Sequence, residues 1–206
     1  MINASLDTLT DYPFVRLTAL LEGVAPPPGL APLALSVGEP QHAPPAWVAD
    51  VLAREGGDWN RYPPLAGTDA FRESACGWLA RRYGLAPGFV DPGRSVLPLS
   101  GTREGLFLLA QLAAPGRPVS GVPAICLPNP FYASYEGAAI LAGAEPVYLD
   151  ATAETGFLPD LDALDTGLLE RTRLFYLCSP ANPQGAVADR AYLARAIGLA
   201  RRHGFI

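Results

Sequence analysis

The chain has 206 residues, half of them apolar and 17% charged, with a net charge of −5 and a pI near 5.0. That balance supports a sizeable core and argues against global disorder, while the absence of a basic stripe argues against a nucleic-acid partner. All 15 basic side chains are arginines, so the chain itself can form neither a P-loop lysine contact, nor a Ser-x-x-Lys pair, nor a lysine Schiff base.

The first forty residues read as an arm. A helix is predicted over 13–21, with Pro13 suited to its first turn and Gly23 to its end. Residues 25–32 (APPPGLAP) break regular structure, and an apolar stretch over 33–37 leads into Gly38-Glu39-Pro40. A second helix is expected over 46–54, followed by a Gly/Pro-rich passage, 56–67, that carries Tyr62. Thr68 is placed to cap a helix running to Tyr83, with Phe71, Ala75, Trp78, Leu79 and Arg82 spaced for one buried face.

Beyond this point strands and helices alternate. Residues 96–99 read as a short strand, and Gly101 opens a helix that ends near Ala114-Pro115-Gly116. Strands follow over 124–127, 146–149 and 174–178, interleaved with helices over 132–141 and from Asp189, as cap, to 202. The same rhythm places the start of another strand at 204–206. Short, near-continuous apolar strands alternating with helices predict an α/β fold, a mostly parallel sheet flanked by helices on both faces.

Other classes are disfavoured. There is no basic-then-apolar leader and no run of about 18 apolar residues, which points to a soluble cytoplasmic protein without a membrane partner. Cys76, Cys126 and Cys178 are odd in number and sit among apolar or small residues, as expected of buried free thiols in a reducing compartment. His42 and His203 are the only histidines, and no HExxH or CxxC spacing occurs, so no metal site is expected. Arg201, Arg202 and His203 read as cations favouring a helix C-terminus. GxGxxG and GxSxG are both absent.

Three loops and one linker carry candidate chemistry, each beside a plainer alternative. In Ser100-Gly101-Thr102-Arg103-Glu104-Gly105 a helix start offers free N–H groups to a phosphate, with Thr102 adding a hydroxyl and Arg103 a charge; the alternative is an ordinary Ser or Thr cap. Asn129-Pro130-Phe131-Tyr132 follows a strand end, where α/β proteins bind ligands, and an aromatic there can stack on a flat heterocycle or simply pack in the core. Asn182, in Ser179-Pro180-Ala181-Asn182-Pro183-Gln184-Gly185, is an amide aimed by two flanking prolines, or a turn. Tyr62 is either a phenol reaching a ligand or a linker aromatic. The order along the chain, phosphate turn, aromatic, asparagine, favours the functional set.

With those residues the chain resembles the fold-type I, class I/II pyridoxal-phosphate aminotransferases over nearly its whole length. Within them it is most similar to the bacterial N-succinyldiaminopimelate aminotransferases, through LDTLTDYPFVRLTALL (6–21), LSVGEP (35–40), SGTREGLF (100–107), PNPFYASYEGAA (128–139) and SPANPQG. Gln41 stands where that resemblance leads one to expect a lysine. It implies an arm and linker over 1–45 on the small-domain side, and over 46–206 the N-terminal part of the large domain, incomplete at its C-terminal end. By resemblance Gly101 and Thr102 hold the cofactor phosphate, Tyr132 stacks on the pyridine, and Asn182 bonds its phenolic oxygen. Tyr62 reaches the phosphate of a partner subunit's cofactor, implying a homodimer, and Gly38 approaches the substrate carboxylate.

The resemblance therefore implies pyridoxal 5'-phosphate as cofactor and amino and keto acids as substrates. It places no catalytic residue in this chain: the Schiff-base lysine, the acid facing the pyridine nitrogen and the carboxylate-binding arginine of the family would all fall after Ile206. The chain alone is accordingly expected to be inactive. Two alternatives stand beside this reading: an aminotransferase of the same fold with aspartate, an aromatic amino acid or LL-diaminopimelate as donor, or a non-catalytic binding or assembly module.

Overall fold

The computed structural model describes residues 4–206 apart from 32, 34, 37 and 117. Part of the apolar stretch over 33–37 therefore lies outside the described residues. Contacts divide the chain into two compact units, Met1–Ala25 with Gly101–Ile206, and Pro26–Ser100. The division falls elsewhere than the 45/46 boundary expected from sequence, because the 3-10 turn at Ala4–Thr8 packs on a helix of the first unit.

In that first unit, α1 (Pro13–Leu20) starts on a proline, where the missing N–H has no intrahelical partner to lose. The sheet has three strands, β1 (Ala124–Asn129), β2 (Glu145–Asp150) and β3 (Thr172–Phe175), in the order β2-β1-β3. All pairs are parallel; Ala124 faces Glu145 at one end of the β1–β2 ladder and Asn129 faces Asp150 at the other. Ile125 and Leu127 on the central strand are fully buried, the run expected of a parallel strand covered on both sides. On one face their side chains join Leu174 and Tyr176 against α4 (Thr102–Ala113) and α5 (Ser134–Leu141). Those helices meet the sheet through small residues: Ala110, Ala138 and Ala139 have no exposed surface.

On the opposite face α7 (Arg190–His203), which follows the short α6 (Thr166–Arg171) in the chain, lies beside β3 without burying a residue of its own; Phe175, Leu177, Ala196, Ile197 and Ala200 line an apolar groove between them. Asp189 caps α7 by accepting from the Tyr192 N–H at 2.7 Å, and Gly204, at φ 70°, ends it in the left-handed region that a side chain disfavours. Beyond it Ile206 donates to the Arg173 carbonyl at 3.1 Å and accepts from the Phe175 N–H at 2.8 Å, the parallel pairing expected of 204–206 on the free side of β3.

The second unit holds α2 (Trp47–Arg54), a 3-10 turn at Gly56–Asp58, and α3 (Asp69–Tyr83). Thr68 caps α3 as its sequence requires, accepting from the Phe71 N–H at 3.2 Å.

Four details differ from the sequence expectation. Residues 96–99 pair with no strand among the described residues, so α4 is entered without a ladder before it. On α3 the buried residue is Cys76, while Phe71, Trp78 and Arg82 are exposed, because the expected apolar face has no buried surface of this unit set against it. The third strand begins two residues earlier than expected, at Thr172, and ends three earlier, at Phe175; beyond it the Tyr176 N–H, bonded to the Cys126 carbonyl at 2.9 Å, continues the pairing. Finally α6 was not foreseen; Asp165 caps it through the Leu168 N–H at 2.8 Å, but six residues containing a glycine give too little periodicity to read.

Candidate functional site

Three chain segments form the site at one end of the sheet. Gly101 precedes α4 in an extended conformation and no side chain caps the helix there, so its first-turn N–H groups are not taken by a capping oxygen. A Cβ added at Gly101 would meet no atom within 4 Å. Thr102 opens the helix and is exposed.

The second segment leaves β1 at Asn129, whose side-chain amide donates to Asp150 at 2.8 Å and whose carbonyl accepts from Ala151 at 2.9 Å. These bonds fix the chain before it turns through Pro130 and Phe131 to Tyr132. Tyr132 meets Tyr135 edge-on, with ring centroids 5.7 Å apart, and Tyr135 in turn stacks on Tyr176. The Tyr132 hydroxyl accepts from Arg103 Nε at 2.6 Å. That bond, and then the negative charge Tyr132 gains when it ionises, holds the Arg103 guanidinium still more firmly protonated than usual.

The third segment, 179–185, closes on itself. Ala181 donates to Ala186 and Gly185 to Ala181, both at 2.7 Å, and the Ser179 hydroxyl accepts from Ala188 at 3.0 Å. Gly185 sits at φ 76°, a conformation that suits glycine. Asn182 stands exposed in this turn, and its amide makes no hydrogen bond to a described residue.

Thr102, Phe131, Tyr132, Cys178 and Asn182 line one cavity of about 210 Å³. The cavity has an uncapped helix start, a phenol ring, an unpartnered amide and apolar proline walls, a donor set that fits a phosphorylated aromatic heterocycle. Tyr62 and Gly38 belong to the other unit; Tyr62 is fully exposed and a Cβ at Gly38 would meet nothing within 4 Å.

Cys178 corrects the expectation of three buried thiols. Cys76 and Cys126 are buried, but Cys178 is half-buried, lines the cavity and points its thiol at the Pro180 carbonyl. Its place follows from the strand before it: three residues beyond the end of β3 and two beyond buried Tyr176, it emerges where the sheet stops. Among the described residues no group of His, Cys, Asp and Glu is placed to hold a metal, and no helix is long and apolar enough to cross a membrane.

Residues 32–206 match the family model for aminotransferase class I and II, and the chain belongs to that family. Its members work with pyridoxal phosphate. The chain is 32% identical over 200 residues to the LL-diaminopimelate aminotransferase of Desulforudis audaxviator, covering 96% of this chain and 49% of that protein. Among solved structures it is similar to an aminotransferase from Neisseria meningitidis, with a TM-score of 0.91 and 36% identity over 100% of this chain and 51% of the other. Aminotransferase AspB of Helicobacter pylori gives 0.84 and 32%, covering 96% and 50%. The chain thus spans about half the length of the relatives it matches.

Proposed function

We propose that this chain is the cofactor-gripping part of an aminotransferase that moves an amino group between glutamate and a keto acid, with N-succinyl-2-amino-6-ketopimelate as the favoured acceptor. The observation that carries the reading is the convergence of Thr102, Tyr132 and Asn182 on one cavity. Bound pyridoxal phosphate supplies the electron sink for amino transfer.

The residues of this chain do the holding. The N–H groups at the start of α4, with the Thr102 hydroxyl, take the phosphate, where dianionic charge meets the positive end of a helix. The Tyr132 ring lies against the pyridine, and the Asn182 amide donates to its phenolic oxygen. Gly38 offers its N–H to the substrate carboxylate. Tyr62 reaches the phosphate site of a second copy, so the working form is a homodimer, in the cytoplasm. The chain contains no lysine, so the group that bonds the cofactor covalently is not among these residues.

A second reading of the substrate has its own support: several relatives are named LL-diaminopimelate aminotransferase. A donor panel with the full-length protein separates the two. N-succinyl-LL-diaminopimelate, LL-diaminopimelate and aspartate are each supplied with 2-oxoglutarate, and glutamate formation is followed. Turnover of the succinylated donor well above the others supports the first reading; preference for the free diamino acid replaces it with the second. No turnover with any donor, alongside no change in the absorbance of added pyridoxal phosphate, overturns the aminotransferase reading.

A further inference from the structure

Arg103 is an unusual side chain for its place. It stands in the first turn of α4, at the positive end of the helix, where a cation is disfavoured by the peptide dipoles. It does not turn away into solvent. Its Nε–H reaches across to the Tyr132 hydroxyl, a residue on another segment, and its guanidinium carbon lies 5.5 Å from the centre of that ring.

Tyr132 needs such a partner. A phenol at a cavity rim can swing about its first torsion, and the base of this ring packs on the core and edge-on against Tyr135. The far end, at the hydroxyl, is fixed by Arg103 alone among the hydrogen bonds of the described residues. A guanidinium suits the task because its Nε–H is a rigid, directional donor that never loses its charge in this pH range. A phenylalanine at 132 would stack as well but could not be gripped.

We propose that Arg103 is a positioning residue: it pins the Tyr132 hydroxyl and with it the place of the ring against which the cofactor lies. The inference rests on the reading of this cavity as the cofactor site. It assigns Arg103 a role through Tyr132, not through a direct contact with the phosphate.

The test has one arm that needs no cofactor. In the cofactor-free full-length protein, with side-chain-labelled tyrosine, Arg103→Met should lower the order of the Tyr132 side chain about χ1, seen by NMR relaxation and three-bond couplings, and Arg103→Lys should restore part of the restraint. Unchanged χ1 order of Tyr132 in Arg103→Met overturns the pin, whatever the cavity binds.

The second arm measures non-activity binding of pyridoxal phosphate by its absorbance and induced circular dichroism. Arg103→Met and Tyr132→Phe should each weaken binding about tenfold, the effect of one charge-assisted hydrogen bond, and alter the dichroism in the same sense. The double variant should be no weaker than the worse single one. Losses that multiply in the double variant place Arg103 on the phosphate directly and overturn the proposal, as does full affinity in Arg103→Met. If the unsubstituted protein itself binds no pyridoxal phosphate, the cofactor reading fails and takes this role with it, while the ring measurement still reports on the pin. Both side chains are at the surface of the rim, and a thermal melt of each variant checks that the fold is kept.

Discussion

Tyr135 and Tyr176 lie nearly parallel, 6° apart with ring centroids at 4.1 Å, and join α5 to the residue that follows β3. The Tyr176 hydroxyl continues the connection to α4 by donating to the Leu106 carbonyl at 2.5 Å. Three elements that carry the site are thereby tied under its floor. Tyr176→Phe keeps the stack and removes the bond, leaving a half-buried carbonyl without that donor. We expect a loss of about 1 kcal/mol, read as a lower urea midpoint at unchanged slope.

Tyr176 and two further tyrosines make stability fall in alkali. Tyr176 and Tyr192 are pushed up to about 12 chiefly by burial, and Tyr148 to about 12 by burial and then by its bond to Glu136. A folded-state value above the ordinary 10 means the unfolded chain releases these protons first. Their contribution is complete below pH 10 and is lost as pH rises towards 12. Unfolding free energy should be flat through neutrality and decline across that window, with tyrosinate absorbance rising late. Tyr192→Phe should flatten the decline; an unchanged slope would show that its hydroxyl is not protected.

Cofactor binding should depend on the rim and not on the core. Thr102→Ala and Asn182→Ala should each weaken pyridoxal phosphate by about tenfold, the worth of a hydrogen bond to a charged or strongly polar ligand. Melting temperatures should barely move, because both residues are exposed. Leu127→Ala should do the reverse: it opens a cavity in the fully buried central strand, costing about 2–5 kcal/mol. Equilibrium titration and denaturant melts on the same samples distinguish the two patterns.

The thiols should separate by reactivity. Cys178 lines the cavity, whereas Cys126 is 1% exposed and its thiol is pushed up by burial. A maleimide should modify Cys178 first in the native protein, with Cys126 following only on unfolding. Pyridoxal phosphate should slow the first reaction. Equal labelling of Cys126 and Cys178 would show that the cavity is not open as described.

Much of the sheet could be read from the chain because its residues act locally. Ala124 to Leu127 is a short apolar run, Thr68 and Asp189 are capping residues in front of helices, and each does what its chemistry dictates. Where the reading missed, the deciding partner lay elsewhere. Phe71 and Trp78 have helical spacing but no surface of their own unit to cover them, and residues 96–99 have strand composition but no neighbouring strand. Thr102, Tyr132 and Asn182 stand out in the sequence as loop chemistry, and the fold brings the three to one cavity. The Arg103–Tyr132 bond was not, since nothing in either segment shows that a long side chain will cross to the other.

The alanines between α4 and α5 have a mechanical consequence. Ala110 and Ala139 are wholly enclosed, and Gln111 adds a cross-tie to the Ala138 carbonyl at 3.0 Å, so the two helices touch with almost no slack. Thr102 lies about two turns up the same rod from Ala110. Extra bulk at position 110 would act as a wedge under one end of a lever and swing the Thr102 end away from Tyr132 and Asn182. The gauge of the binding rim is thus set from behind, by methyl groups that no ligand ever meets.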